Sequence, residues 1–85
     1  MNIEQKRKQN ERKFASWDDL TDKGRRYFYD VQAKDGFRSA RYVKEVDGSE
    51  QTLRFYQEIY DDNGKLEEIH EKYPADKGHI KVQER

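Results

Sequence analysis

Apolar and polar residues alternate in several runs along this chain, and clusters of turn-forming residues close each run. In residues 25–33, Tyr27, Tyr29 and Val31 alternate with Arg26, Phe28 and Asp30, which is the two-residue period of a β-strand. Residues 37–46 set Phe37, Arg41 and Val43 against Arg38, Ala40, Tyr42 and Val46. Residues 52–60 divide more cleanly, with Leu53, Phe55 and Ile59 expected in the core and Tyr56, Glu58 and Tyr60 facing away. In residues 65–73 the pattern slips, because Leu66 and Ile69 fall on opposite faces of an ideal strand; a β-bulge would bring them together. The breaks between runs are Lys34-Asp35-Gly36, Asp47-Gly48-Ser49 and Asp61-Asp62-Asn63-Gly64, each rich in residues that tolerate tight turns. The pattern predicts an antiparallel meander of four strands. After Pro74, the turn Asp76-Lys77-Gly78 leads to His79–Val82, a short fifth strand with Ile80 and Val82 expected to point inward.

Upstream of the meander the pattern changes. Residues 1–13 are polar and charged, with Ile3 the one large apolar side chain after Met1, so they offer no face to bury and read as a flexible charged arm, either a frayed helix or disordered. Phe14, Trp17 and Leu20 then recur every third residue, and Ser16 and Asp19 have the spacing of a capping box. A short helix is expected there, lidding the sheet with Trp17. The expected fold is therefore α+β and mainly β: a short N-terminal helix followed by a four- or five-stranded antiparallel meander, with residues 14–85 as one small domain.

Composition refines this picture. Only 32% of residues are apolar and 42% are charged, a balance that leans toward disorder, but the formal net charge is zero and 13% of residues are aromatic. Six Tyr, four Phe and one Trp point to an aromatic core. The absence of Cys excludes disulfides, thiolate nucleophiles and Cys-based zinc sites. The N-terminal residues lack the apolar stretch of a secretion signal, and no apolar run approaches the roughly eighteen residues of a membrane span. A soluble cytoplasmic protein without membrane contact is expected.

Charge is uneven along the chain. Residues 1–44 hold twelve basic and seven acidic side chains, whereas residues 45–85 hold six and eleven. A basic half can face phosphates. In a meander the basic half instead pairs with its acidic neighbour, Arg38, Arg41 and Lys44 meeting Glu58 and other carboxylates across strands, and a net charge of zero favours that pairing over a polyanion site.

One short stretch has a counterpart elsewhere. Tyr60-Asp61-Asp62-Asn63-Gly64-Lys65-Leu66 resembles the Y-D-x-x-G-x-L hairpin unit of YD-repeat proteins. The resemblance covers seven residues and implies a hairpin, with Gly64 free to take positive φ.

Three constellations carry the functional expectations. The first is aromatic and basic: Tyr27, Tyr29, Tyr42 and Tyr56 among Arg38, Arg41 and Arg54 form a surface suited to a protein partner or to self-association, without enzymatic chemistry. The same residues, with Lys6, Arg7, Lys8, Arg25 and Arg26 on phosphates, suit single-stranded nucleic acid as an alternative. The second is Glu68 with His70, two apart on one strand, with Glu71 and Lys72 adjacent; a carboxylate beside an imidazole is the acid–base pair of a small ribonuclease. The third is Asp76 and His79, which together with His70 raise the question of a metal. No metal-binding motif frames them, capping and turn formation account for them, and no metal or other cofactor is expected.

Overall fold

The computed structural model describes residues 1–32, 38–76 and 78–82. The turn expected at Lys34-Asp35-Gly36, its flanking Phe37, and Lys77 of the last turn lie outside the described residues.

The chain opens on a reciprocal cap. Asn2 Oδ1 accepts from the Gln5 N–H at 2.8 Å, and Gln5 Oε1 accepts from the Asn2 N–H at 3.1 Å. Helix α1 follows over Ile3–Phe14 and stops at Ala15, whose φ of 67° reverses the chain while its N–H donates to the Glu11 carbonyl at 2.9 Å. Of the frayed helix or disordered arm expected over 1–13, the structure has a capped helix, and the helix expected to start at Ser16 is corrected. The helix forms one segment earlier, and it docks by polar contacts that an apolar-stripe argument does not register. Arg7 Nε meets Glu50 Oε1 at 3.0 Å, an Arg25 Nη meets Glu11 Oε2 at 2.6 Å, and Lys44 Nζ donates to Asn10 Oδ1 at 3.0 Å. Phe14 is the buried apolar anchor of the helix.

Ser16–Asp19, expected as helix, form strand β1. After a 3₁₀ turn at Thr21–Lys23 come β2 (Arg25–Gln32), β3 (Ser39–Val46), β4 (Thr52–Tyr60), β5 (Leu66–Tyr73) and β6 (Gly78–Lys81). All six are antiparallel and lie in the sheet in chain order. The expected class holds, and β1 is the strand the sequence pattern did not reveal. Gly24 joins the 3₁₀ turn to β2 so closely under Val46 that a Cβ there would lie 2.7 Å from the Val46 carbonyl oxygen.

Two hairpins show why their turn residues are present. Asp47 Oδ1 accepts from the N–H groups of Ser49 and Gln51, and Asp61 Oδ1 does the same for Asn63 and Lys65. Gly64 takes φ of 79°, as the hairpin resemblance implies. The bulge expected in β5 is present. Ile59 lies opposite Glu68 and Tyr60 opposite Leu66, so Glu67 is the extra residue, and Leu66 and Ile69 fall on one face.

The two faces of the sheet are covered differently. Helix α1 lies over one end of the first face, where Phe14, Tyr27 and Val46 are almost fully buried and Tyr29 and Phe55 pack around them. Among the described residues no element covers the second face, yet Val43 is 1% exposed and Tyr56 8%. Long charged side chains lie across it instead. The Arg41 guanidinium stacks 4.6 Å from the Phe28 ring centre and pairs with Asp30, Arg54 stacks 4.2 Å from Tyr56 and pairs with Glu71, and Arg26 pairs with Glu45. Two core expectations fail for related reasons. Leu53 is 55% exposed, next to the β-bulge where Val46 pairs with Thr52, and Ile80 and Val82 are largely exposed, with no described element over the face and edge where β6 lies.

Candidate functional site

Among the described residues α1 covers only one end of the first face, and no element covers the other. There β2 to β6 line a depression of about 540 Å³, floored by Val31, Ala40, Tyr42 and Ile59 and rimmed by Arg38, Glu68 and His79. Strand alternation puts these residues on one face: Val31 opposes Ala40, Ala40 opposes Ile59, and Ile59 opposes Glu68.

Tyr29 and Tyr42, opposite each other on β2 and β3, stack with ring centres 5.0 Å apart and planes 18° apart. The Tyr42 hydroxyl accepts from Gln57 Nε2 at 3.2 Å, and Lys72 Nζ sits 5.1 Å from its ring centre. The stack therefore forms a firm aromatic wall between the α1 core and the depression.

At the far end two histidines meet across β5 and β6. His70 opposes His79, and their ring centres are 4.4 Å apart. Asp76 Oδ1 lies 2.7 Å from His70 Nε2 and also accepts from the Gly78 N–H at 2.9 Å. The Gly78 bond, with the His70 bond second, holds the Asp76 carboxyl below the usual carboxylate range. His70 Nδ1 is buried and has no hydrogen-bond partner among the described residues. His79 Nδ1 faces Glu68 Oε1 at 3.9 Å, while the other Glu68 oxygen pairs with the Arg38 guanidinium. Arg38 also approaches Glu67 at 3.6 Å. Among the described residues no three His, Asp or Glu side chains are arranged to hold a metal ion.

The structure separates the expected aromatic and basic set. Arg38 and Tyr42 line the depression, and Tyr29 backs Tyr42 through their ring stack. Tyr27 does not reach it, since it is fully buried beneath Phe14 and Trp17. Arg41, Arg54 and Tyr56 belong to the second face. The acid–base set also divides: Glu68 and His70 share the first face, whereas Glu71 accepts from Arg54 at 2.9 Å on the second. The apolar floor was not read from the sequence, nor was the meeting of His79 with Glu68. The alternation of Val31, Ala40 and Ile59 was visible, but pairing His79 with its neighbours required the register of the last hairpin, set by Asp76.

No protein-family description, curated protein or solved structure matches this chain. Among the described residues no helix is long and apolar enough to cross a membrane.

Proposed function

We propose that the open end of the first face docks on a partner protein. The observation that carries this reading is the depression itself: an apolar floor of Val31, Ala40 and Ile59 beside a braced tyrosine pair, ringed by charges of both signs. Interface hot spots are commonly built this way, with an apolar or aromatic anchor entering a pocket inside a polar rim. The partner chemistry that fits is a folded surface presenting one such anchor flanked by mixed charge. The pairing of Arg7, Arg25, Arg26, Arg38 and Arg41 with carboxylates favours this over an extended nucleic-acid track, since each guanidinium is already engaged within the chain.

The test is capture of partners from native cells by the full chain immobilised on resin. Tyr42→Ala and Ile59→Asp should abolish capture, nuclease treatment should leave it intact, and Arg41→Ala on the opposite face should have no effect. Capture lost equally in the Arg41 variant, or released by nuclease, would overturn the reading.

A further inference from the structure

The polar end of the depression supports an inference independent of the partner. We infer that Glu68 and His79 form an acid–base pair able to cleave RNA. The chain has no cysteine to act as a nucleophile, and we place that role on the substrate. RNA carries one internally, the 2′-hydroxyl beside each phosphodiester.

The geometry supplies what that attack needs. Glu68 is a carboxylate fixed by the Arg38 guanidinium, and the His79 imidazole is 3.9 Å away on the neighbouring strand, with 46% of its side chain exposed at the rim. Both groups can reach one phosphodiester from the same opening. Lys72 Nζ, 5.1 Å from the Tyr42 ring centre, brings positive charge beside that opening, and the Tyr42 ring, backed by Tyr29, offers a flat aromatic surface for a base. One phosphate held locally requires no long basic track.

The step balances without a co-reactant. Glu68 takes the proton of the 2′-hydroxyl as the 2′-oxygen bonds to phosphorus. The bond from phosphorus to the 5′-oxygen breaks, and protonated His79 gives its proton to that leaving oxygen. The products are a 2′,3′-cyclic phosphate and a 5′-hydroxyl, and solvent exchange restores both side chains. The sequence suggested Glu68 with His70 or Glu71; the structure directs His70 toward Asp76 and Glu71 toward Arg54, leaving His79 as the partner of Glu68.

The test incubates the full chain with a labelled single-stranded oligoribonucleotide, its DNA counterpart, and a version carrying 2′-O-methyl groups throughout. Only the unmodified RNA should be cut, giving 2′,3′-cyclic phosphate ends. His79→Ala and Glu68→Gln should each lower the rate by roughly a hundredfold or more, the usual scale for losing a positioned acid or base. Arg41→Ala should match the parent chain. The 2′-O-methyl substrate keeps the test decisive even if a variant misfolds, because it removes the nucleophile from the substrate side. No cutting by the parent chain, cutting of DNA or methylated RNA, or cutting undiminished in folded variants would each overturn the inference. Capture of a partner and cutting of RNA are read separately, so either can fail alone.

Discussion

The Tyr27 hydroxyl donates to the Glu50 carboxylate beneath helix α1, joining the centre of β2 to the β3–β4 turn. Glu50 reaches this position from a left-handed backbone, φ 62°, and its side chain is fully buried. Arg7 Nε meets the same Glu50 oxygen from the helix at 3.0 Å. One carboxylate thus ties three parts of the fold together. Tyr27→Phe keeps the ring but strips Glu50 of a donor, and it should cost about 1–3 kcal/mol by urea denaturation. Glu50→Ala should cost at least as much, since it leaves the Tyr27 hydroxyl buried without its acceptor.

The same phenol sets an alkaline limit. Burial, and then its bond to Glu50, push the Tyr27 hydroxyl up to about 12 from its ordinary 10. A raised folded-state pKa means that the contribution is complete below pH 10 and is lost as pH rises through 12. A shift of that size corresponds to a loss on the order of 2 kcal/mol. Thermal midpoints measured from pH 9 to 12 should fall through this window, and Tyr27→Phe should flatten the decline.

Helix α1 should be an integral part of the fold. Deleting residues 1–13 removes Arg7, Asn10 and Glu11, together with their contacts to Glu50, Lys44 and Arg25. Phe14→Ala should cost about 3–5 kcal/mol, the usual range for truncating a buried phenylalanine. At roughly 4–8 °C per kcal/mol for a domain of this size, either change should lower the melting temperature by well over ten degrees. A deletion that left the midpoint unchanged would show that the docking contacts add no stability.

Trp17 has a smaller role than a lid. It lies on edge strand β1, 37% exposed, with its ring 6.1 Å from Tyr27 and under the Arg25 guanidinium at 5.0 Å. Trp17→Ala should therefore cost less than the roughly 3 kcal/mol of a fully buried aromatic. Its fluorescence in the folded chain should remain accessible to a soluble quencher such as acrylamide.

The second face rests on arginine planes lying over aromatic rings. Arg41→Met should retain the cover over Phe28 while losing the pair with Asp30, and exposed ion pairs are worth at most about 1 kcal/mol. Arg41→Ala loses both and should destabilise more. The gap between the two variants, measured by denaturation, reports how much of the contact is packing.

The legible parts of this fold were those governed by local rules. Asp61 and Gly64 announced their hairpin, the Leu66 and Ile69 mismatch announced a bulge, and the alternation in β2 to β4 gave the meander. Where long-range polar contacts decide, the pattern was silent. Nothing near Arg7 or Asn10 hints that Glu50, some forty residues on, will receive the helix, so the first thirteen residues read as a free arm. Ser16 and Asp19 mimic a cap because the rule is local, whereas their strand exists only through pairing with β2. The candidate site was legible in pieces: Tyr29, Tyr42, Arg38, Glu68 and His70 were visible as residues, but which end of their shared face α1 covers depended on where the helix came to rest.

The strictly sequential strand order also shapes how the chain folds. Every strand pairs with its neighbours in the chain, so the sheet can grow hairpin by hairpin through short loop closures, each entropically inexpensive. Helix α1 is the exception. Its ties to Lys44 and Glu50 span 34 and 43 residues, and Glu50 is in place only once the β3–β4 turn has closed. The tie of the helix to Glu50 therefore forms only after the β3–β4 turn has closed, whereas its contacts with Arg25 and Tyr27 need only β2.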